Sequence, residues 1–166
     1  MVSDYHPEVA RRLLDGALEC LAAHRVNVRE VPVYRVPGAF EIPQAASRLL
    51  LRPDHRFDAL ICLGLLIRGE TLHFEILSRE VCRGIAETAR RTGVPLAFGV
   101  LTVENERQAR DRAGRGTVNK GWEAARAAVR MALLYRGLDG SPAGARRPRG
   151  RNFQKGTAGH GRAKTR

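Results

Sequence analysis

His73 lies four residues beyond Gly69, at a point where an apolar run gives way to a helical pattern. Residues 59–67 are apolar apart from one glycine, which is typical of a strand buried on both faces of a sheet. From Leu72 onward apolar residues recur every three or four positions, which predicts a helix. A helix that begins here offers unpaired backbone N–H groups to an anion at residues 69–71. The imidazole beside them is suited to proton transfer near neutral pH, although a surface or capping role explains a lone histidine equally well.

The rest of the chain predicts the elements that must position this turn. Apolar spacing predicts helices at residues 7–24, 42–50, 104–113 and 119–135, and it predicts that the helix after Leu72 ends at Thr92 and Gly93. Alternating valines and a second apolar run predict strands at residues 31–36 and 94–101.

Strands that alternate with helices imply a parallel sheet covered by helices on both sides. In such sheets ligands bind beyond the carboxyl ends of the strands. The predicted rim therefore combines residues 38–41, residues 69–73 and the loop after Leu101, and it brings His73 toward Glu41.

Composition divides the chain into a body and a basic tail. The net charge is +12, and residues 141–166 hold eight Lys or Arg and no acid, which leaves 21 basic and 17 acidic residues in the first 140. We expect an α/β domain at residues 1–140 and a disordered tail at 141–166, because the tail has too little apolar surface to offset its ordering entropy. A solvated tail and an electrostatic arm for RNA or another polyanion both fit this composition.

The cysteines and the chain start indicate a reducing compartment. Cys20, Cys62 and Cys82 are odd in number and widely spaced among apolar neighbours, so we expect three small buried hydrophobic residues and neither a disulfide nor a metal site. No apolar stretch reaches the ~18 residues of a membrane span, and the first residues lack the pattern of a signal peptide. A cytoplasmic location is the expectation.

Four stretches in order, PGAFEIP (37–43), GLLIRGETLHFE (64–75), PLAFGVLT (95–102) and RAG…NKGWEAA (112–125), resemble the lumazine synthase family. The resemblance runs in register from about Tyr5 to Arg136. It implies a flavodoxin-like three-layer α/β sandwich with a central parallel sheet, here with a short or trimmed first strand. It also implies homopentamers, alone, stacked as decamers or assembled as icosahedral shells, with active sites between subunits.

The resemblance also implies a reaction. The family condenses 5-amino-6-(D-ribitylamino)uracil with 3,4-dihydroxy-2-butanone 4-phosphate, releases phosphate and water, and needs no metal or organic cofactor. By resemblance His73 is the general acid and base, while Gly69, Glu70, Thr71 and Arg112 bind the phosphate. A guanidinium is well suited to that anion, and we expect Glu70 to bind through its backbone with its carboxylate turned away.

The substrate-binding side is assigned by the same resemblance. The uracil substrate is expected to lie against Tyr5 and to contact the remaining residues of the site, Ala39, Phe40, Glu41, Leu65, Leu66 and Ile67, with Phe98 supplied by a neighbouring subunit. Simpler roles are open for three of them. Phe40 and Phe98 could be core residues, and Glu41 could cap the helix that follows.

The chain departs from the family pattern at its start and near residue 116. Asp4-Tyr5-His6 stands where the family has Arg-Phe-Asn, and Gly116 replaces a lysine found in many members, although Lys120 is kept. The altered segment around Tyr5 and the short stretch before it motivate a second hypothesis, a non-catalytic relative that serves as a scaffold or a flavin-binding shell. A third hypothesis is an assembly that binds nucleic acid through the basic tail.

Overall fold

A four-stranded parallel sheet forms the centre of the fold. The computed structural model describes residues 1–140, so the predicted disorder of residues 141–166 lies outside the described residues. The strands are β1 (Val2–Ser3), β2 (Arg35–Val36), β3 (Leu60–Ile67) and β4 (Leu96–Val103). Their order is β2-β1-β3-β4, and every pairing is parallel.

Helices cover both faces of this sheet. They are α1 (Pro7–Ala23), α2 (Glu41–Leu50), α3 (His73–Thr92), α4 (Glu106–Arg112) and α5 (Lys120–Leu138), with short 3₁₀ turns at Val28–Glu30 and Gly116–Val118. One apolar core lies between the sheet and α1 with α5, and a second lies between the sheet and α2 with α3. The predicted three-layer α/β sandwich with a short first strand is therefore confirmed.

Local sequence explains the ends of the helix that carries His73. α3 begins at His73, and its apolar side buries Val81 and Ile85 against the sheet. It ends where Gly93 adopts a left-handed conformation with φ of 67° and donates its N–H to the carbonyl of Ala89. Glycine reaches this conformation without the clash that a Cβ causes, so the predicted helix end is confirmed.

Asn119 joins three parts of the chain near the start of α5. Its Oδ1 accepts from the backbone N–H of Gly121 at 2.7 Å, which caps the helix. Its Nδ2 donates to the carbonyls of Arg12 at 2.9 Å and Gly114 at 2.7 Å. A Cβ at Gly16 of α1 would overlap with this side chain, so the close packing of α1 on α5 requires glycine there.

Two predictions about the body of the chain are wrong. The strand predicted at residues 31–36 is reduced to Arg35–Val36, because its neighbour β1 has only two residues with which to pair. Cys82 is exposed and not buried, because it follows the buried Val81 by one residue and the helix turns it away from the core.

The other two cysteines are buried as predicted. Cys20 and Cys62 are free thiols in the core, and burial raises the pKa of Cys62 to about 12. Between residues 1 and 140 no cluster of three or more side chains of the His, Cys, Asp and Glu types is arranged to hold a metal ion. Within the same part of the chain, every helix is too short or too polar to span a membrane.

Candidate active site

The carboxyl ends of all four strands meet at one rim, because every pairing in the sheet is parallel. Tyr5 follows β1, residues 38–41 follow β2, residues 68–73 follow β3 and residues 104–112 follow β4. The predicted rim is therefore present, and it brings the segments that follow the strands to one side of the molecule.

The turn after β3 is open to solvent and leads directly into α3. Gly69, Glu70, Thr71 and His73 are all exposed, and His73 is the first residue of the helix. The backbone N–H of His73 lies 3.4 Å from the Oγ1 of Thr71, and Leu72 at the N-cap position offers no capping side chain. The N–H of His73 is held by this long contact, and the exposed turn leaves room for an anion to take the place of the Thr71 hydroxyl.

Arg68, immediately before this turn, contacts three neighbouring side chains. Its guanidinium forms ion pairs with Glu75 and, at 2.7 Å, with Glu104, and it lies 4.5 Å from the ring centroid of Phe74. The hydrogen bond with Glu75 raises the pKa of Arg68. A backbone hydrogen bond and then the contact with Arg68 lower the pKa of the Glu75 carboxyl.

The predicted uracil-binding residues divide into exposed and buried groups. Tyr5 is 75% exposed, with its ring edge-on to that of His6 at 5.0 Å, and Phe40 is also exposed. Exposed rings at the rim are free to stack on a heterocycle. Three more are half-buried, namely Glu41, Leu66 and Ile67. Two are buried, namely Ala39 and Leu65. A buried side chain leaves only its backbone to contact a ligand.

The acidic residue at the start of the chain is neutralised locally. The carboxylate of Asp4 forms an ion pair with Arg35 of β2 at 2.5 Å. The backbone N–H of Asp4 also donates to the carbonyl of Val36 at 2.9 Å, which places both residues beside the end of β2. The replacement of a family cation by Asp4 therefore does not leave an isolated negative charge at the rim.

Phe98 and Arg112 line a second site, a cavity of about 290 Å³ between β4 and α5. Lys120 and Glu123 also line it and form an ion pair at 2.5 Å. The side chains of Arg112 and Lys120 are both exposed, and Phe98 is 43% exposed. The combination of an aromatic ring with arginine and lysine suits a ligand that has an aromatic or apolar part and an anionic part.

This cavity runs along β4 from Phe98 to Thr102, and the turn that carries His73 is not part of its lining. Phe98 pairs with Cys62, whereas the carboxyl ends of the same two strands pair Ile67 with Val103. At a rise of ~3.3 Å per residue, Phe98 lies about 16 Å from the rim along the strand. Among the described residues, none of the turn at 69–73 lines the cavity of Phe98 and Arg112. The sequence-predicted site is thus divided between two places on one chain.

Three residues of these places were not predicted to be functional. Lys120 and Glu123 line the cavity with Arg112, and Arg68 forms an ion pair with Glu75 in the first turn of α3. The sequence did offer an indication for Lys120, because this cation directly follows Asn119, where a helix was predicted to begin. The sequence contains no comparable indication for Arg68. Its partners Glu75 and Glu104 come close to it only once the strands have paired, and that pairing is not visible in the local sequence.

These features are those of an α/β protein whose parallel sheet carries, at its rim and beside β4, two places suited to an anionic ligand. A sequence model described as 6,7-dimethyl-8-ribityllumazine synthase matches residues 1–136. The chain therefore belongs to the 6,7-dimethyl-8-ribityllumazine synthase family, as the resemblance of its four motifs implied.

Individual relatives agree with this assignment. The chain is 50% identical over 135 residues to a 6,7-dimethyl-8-ribityllumazine synthase of Syntrophus aciditrophicus, which covers 81% of this chain and 86% of the relative. It is 45% identical over 136 residues to one of Chlorobium phaeobacteroides, covering 82% and 86%. A third, from Chlorobium luteolum, is 43% identical over 138 residues, covering 83% and 88%. The non-catalytic scaffold hypothesis receives no support from them.

Proposed function

We propose that this chain is a 6,7-dimethyl-8-ribityllumazine synthase of riboflavin biosynthesis. The reaction joins 5-amino-6-(D-ribitylamino)uracil to 3,4-dihydroxy-2-butanone 4-phosphate and releases phosphate and water. The observation that carries the proposal is the position of His73 at the start of α3, directly after an exposed turn that leads into the N-terminus of that helix. This geometry supports a site where a phosphate and a proton-transfer group lie next to each other.

Each step of the condensation has a group suited to it in this arrangement. The amine of the uracil substrate attacks the ketone, and loss of water gives an imine. His73 moves protons to and from the reacting atoms, while the phosphate leaves from its place at Gly69, Glu70 and Thr71. Departure of the phosphate from C4 with the proton of C3 leaves an enol, which tautomerises to a ketone at C3. The second nitrogen then closes the ring on that carbon with loss of the second water. All of this is proton transfer and positioning, for which side chains suffice.

We also propose that the complete site forms between two copies of the chain. Support comes from the ~16 Å along the strand between Phe98 and the rim, and from the lining of its cavity, which includes none of residues 69–73 among the described residues. A neighbouring copy that brings its cavity of Phe98 and Arg112 against the turn at residues 69–73 removes this separation. Leu72, which is 73% exposed next to His73, is an apolar surface for such a contact. The proposed assembly is a homopentamer or a multiple of pentamers.

The decisive experiment measures lumazine formation by absorbance with both substrates, against the uncatalysed background. Two variants, His73→Gln and Arg112→Ala, are assayed separately and then after co-expression in one cell. If each site takes His73 from one copy and Arg112 from the next, about one quarter of the sites in mixed rings are intact, so activity returns. Activity of the mixture no higher than the average of the two variants would contradict the shared site.

The basic tail and the location of the protein complete the proposal. We propose a domain at residues 1–140 followed by a tail that makes non-specific contacts with polyanions, supported by its eight basic residues without an acid. A variant that lacks residues 141–166 should keep the condensation activity and lose salt-sensitive retention on immobilised RNA.

The proposed location is cytoplasmic, supported by the free thiols at Cys20 and Cys62. Cell fractionation tests it.

A further inference from the structure

We propose that Arg68 is a positioning residue, which holds the first turn of α3, and with it His73, against the ends of β3 and β4. The proposal rests on the proposed function, because it gives Arg68 a part in the same reaction. Arg68 does not itself contact the reacting atoms in this proposal. It acts through the residues on either side of the histidine.

The contacts of Arg68 reach three separate segments. Its backbone N–H donates to the carbonyl of Val103 at the end of β4, at 2.9 Å. Its guanidinium pairs with Glu104, the next residue along that segment, and with Glu75 in the first turn of α3. It also lies over the ring of Phe74, which directly follows His73. A planar guanidinium makes these contacts together in one orientation, which restricts the helix start.

The first turn of α3 needs such a restraint because little else in its own sequence fixes it. Leu72 provides no side-chain cap, and the hydrogen bond from the His73 N–H to Thr71 is long at 3.4 Å. A Cβ at Gly69 would meet no atom within 4 Å, so the preceding turn is not packed against the body. The tertiary contacts of Arg68 therefore set where the imidazole of His73 is held.

The charges of this cluster matter for the phosphate substrate as well. Glu75 and Glu104 lie beside the turn proposed to receive a dianionic group, and Arg68 is the cation paired with both. Removal of Arg68 leaves two carboxylates that repel the incoming phosphate. Loss of positioning should lower kcat, whereas loss of neutralisation should raise KM for the phosphate substrate. The two effects are separable.

The test compares Arg68→Ala and Arg68→Lys with the matched control Arg83→Ala. Arg83 lies on α3, away from its first turn, and also pairs with two carboxylates, those of Glu80 at 2.5 Å and Glu87 at 4.0 Å. We expect Arg68→Ala to lower kcat by about 10- to 100-fold, in the range of a small displacement of a catalytic group. We expect Arg68→Lys to restore KM for the phosphate substrate but only part of kcat, because an ammonium lacks the planar fork.

A measurement without turnover separates this inference from the proposed function. Amide hydrogen exchange of the first turn of α3 should become at least tenfold faster in Arg68→Ala and stay unchanged in Arg83→Ala. Unchanged exchange together with unchanged kcat in folded Arg68→Ala would overturn the inference. If the unaltered protein formed no lumazine, the proposed function would fail, and faster exchange in Arg68→Ala alone would still support the restraint on His73.

Discussion

The backbone of Gly121 in α5 lies directly against that of Leu13 in α1. A Cβ built on Gly121 would stand 2.7 Å from the carbonyl carbon of Leu13 and closer still to its oxygen. Neither atom belongs to a flexible side chain, so neither can move aside without shifting a helix. The contact fixes how closely the two helices of this layer approach.

Gly121→Ala should therefore destabilise the protein strongly. We expect a loss of about 3 kcal/mol or more in the free energy of unfolding, since overpacking against backbone leaves the helices no room to adapt. Gly137→Ala is the matched control on the same helix, because a Cβ there would meet nothing within 4 Å. That change should stabilise by ~0.5 to 1 kcal/mol. Urea unfolding at one protein concentration measures both, and equal midpoints would contradict the packing argument.

Replacement of His73 by glutamine should slow the condensation without unfolding the protein. We expect a loss of about 10²-fold in kcat, the low end of the ~10²–10⁴-fold range for general acid–base groups, because this condensation also proceeds slowly without a catalyst. His24→Gln is the control, since His24 is an exposed histidine at the end of α1, far along the chain from the rim. Steady-state kinetics measure both variants. A rate in His73→Gln equal to that in His24→Gln would remove the catalytic role.

Arg112→Ala should mainly weaken binding of the phosphate substrate. Arg112 lines the cavity with Phe98. Among residues 1–140 its guanidinium donates only to the carbonyl of Gln108, at a long 3.4 Å, which leaves donors for an anion. We expect KM for the phosphate substrate to rise about tenfold or more, with a smaller change in KM for the uracil substrate. Arg110→Ala on the same short helix, where Arg110 pairs with Glu106 at 3.5 Å, should change neither. A rise confined to the uracil substrate would assign Arg112 differently.

The lowered pKa of the Glu75 carboxyl, caused first by a backbone hydrogen bond and then by Arg68, predicts a specific dependence of stability on pH. The pKa of Glu75 is lowered from 4.5 in the folded protein. The unfolded chain therefore takes up the proton first as the pH falls, and the contribution of Glu75 is complete above pH 4.5 and is lost as the pH falls through the folded pKa. Urea unfolding from pH 7 to pH 3 should show Glu75→Gln less stable than the unaltered protein at neutral pH. The difference should shrink in acid, and a constant difference would contradict the assignment.

The three thiols should differ sharply in reactivity. Cys82 is exposed, whereas Cys62 is buried and its pKa is raised to about 12 by desolvation, so almost no thiolate is available at neutral pH. Burial also raises the pKa of Cys20. Alkylation of the native protein, followed by peptide mass spectrometry, should label Cys82 first and Cys62 last. Labelling of Cys62 at the rate of Cys82 would show that the second core opens easily.

Features set by neighbours in sequence were predicted well. The apolar spacing after Leu72 located α3 to within one residue at its start, and Gly93 marked its end. A helix is built from contacts three and four residues apart, so the pattern that forms it is visible in the sequence. The same reasoning led to His73 at the helix start.

Features set by partners distant in sequence were predicted poorly. Residues 31–36 alternate like a strand, but the length of β2 depends on β1, which offers two residues. Cys82 follows the apolar Val81 in sequence, yet its exposure depends on which side of α3 faces the sheet. The distance of Phe98 from the rim follows from the pairing of β3 with β4, and no local pattern contains that register. The grouping of Arg112 with Phe98, Lys120 and Glu123 follows from the same register and from the path of α5.

The two-residue strand β1 lies inside the sheet and not at its edge. It joins β2 to β3 through few hydrogen bonds, among them those from Val2 to Tyr34 at 2.8 Å and from Leu63 to Met1 at 2.9 Å. The long ladder between β3 and β4 has eight paired positions, so the sheet is weakest along its interior seam. Heat or force should therefore split the molecule there, in a partial opening that frees Tyr5 and Phe40 while His73 keeps its place. The residues proposed to bind the heterocycle, Tyr5 and Phe40, would therefore lose their positions at a lower temperature or force than the turn proposed to bind the phosphate.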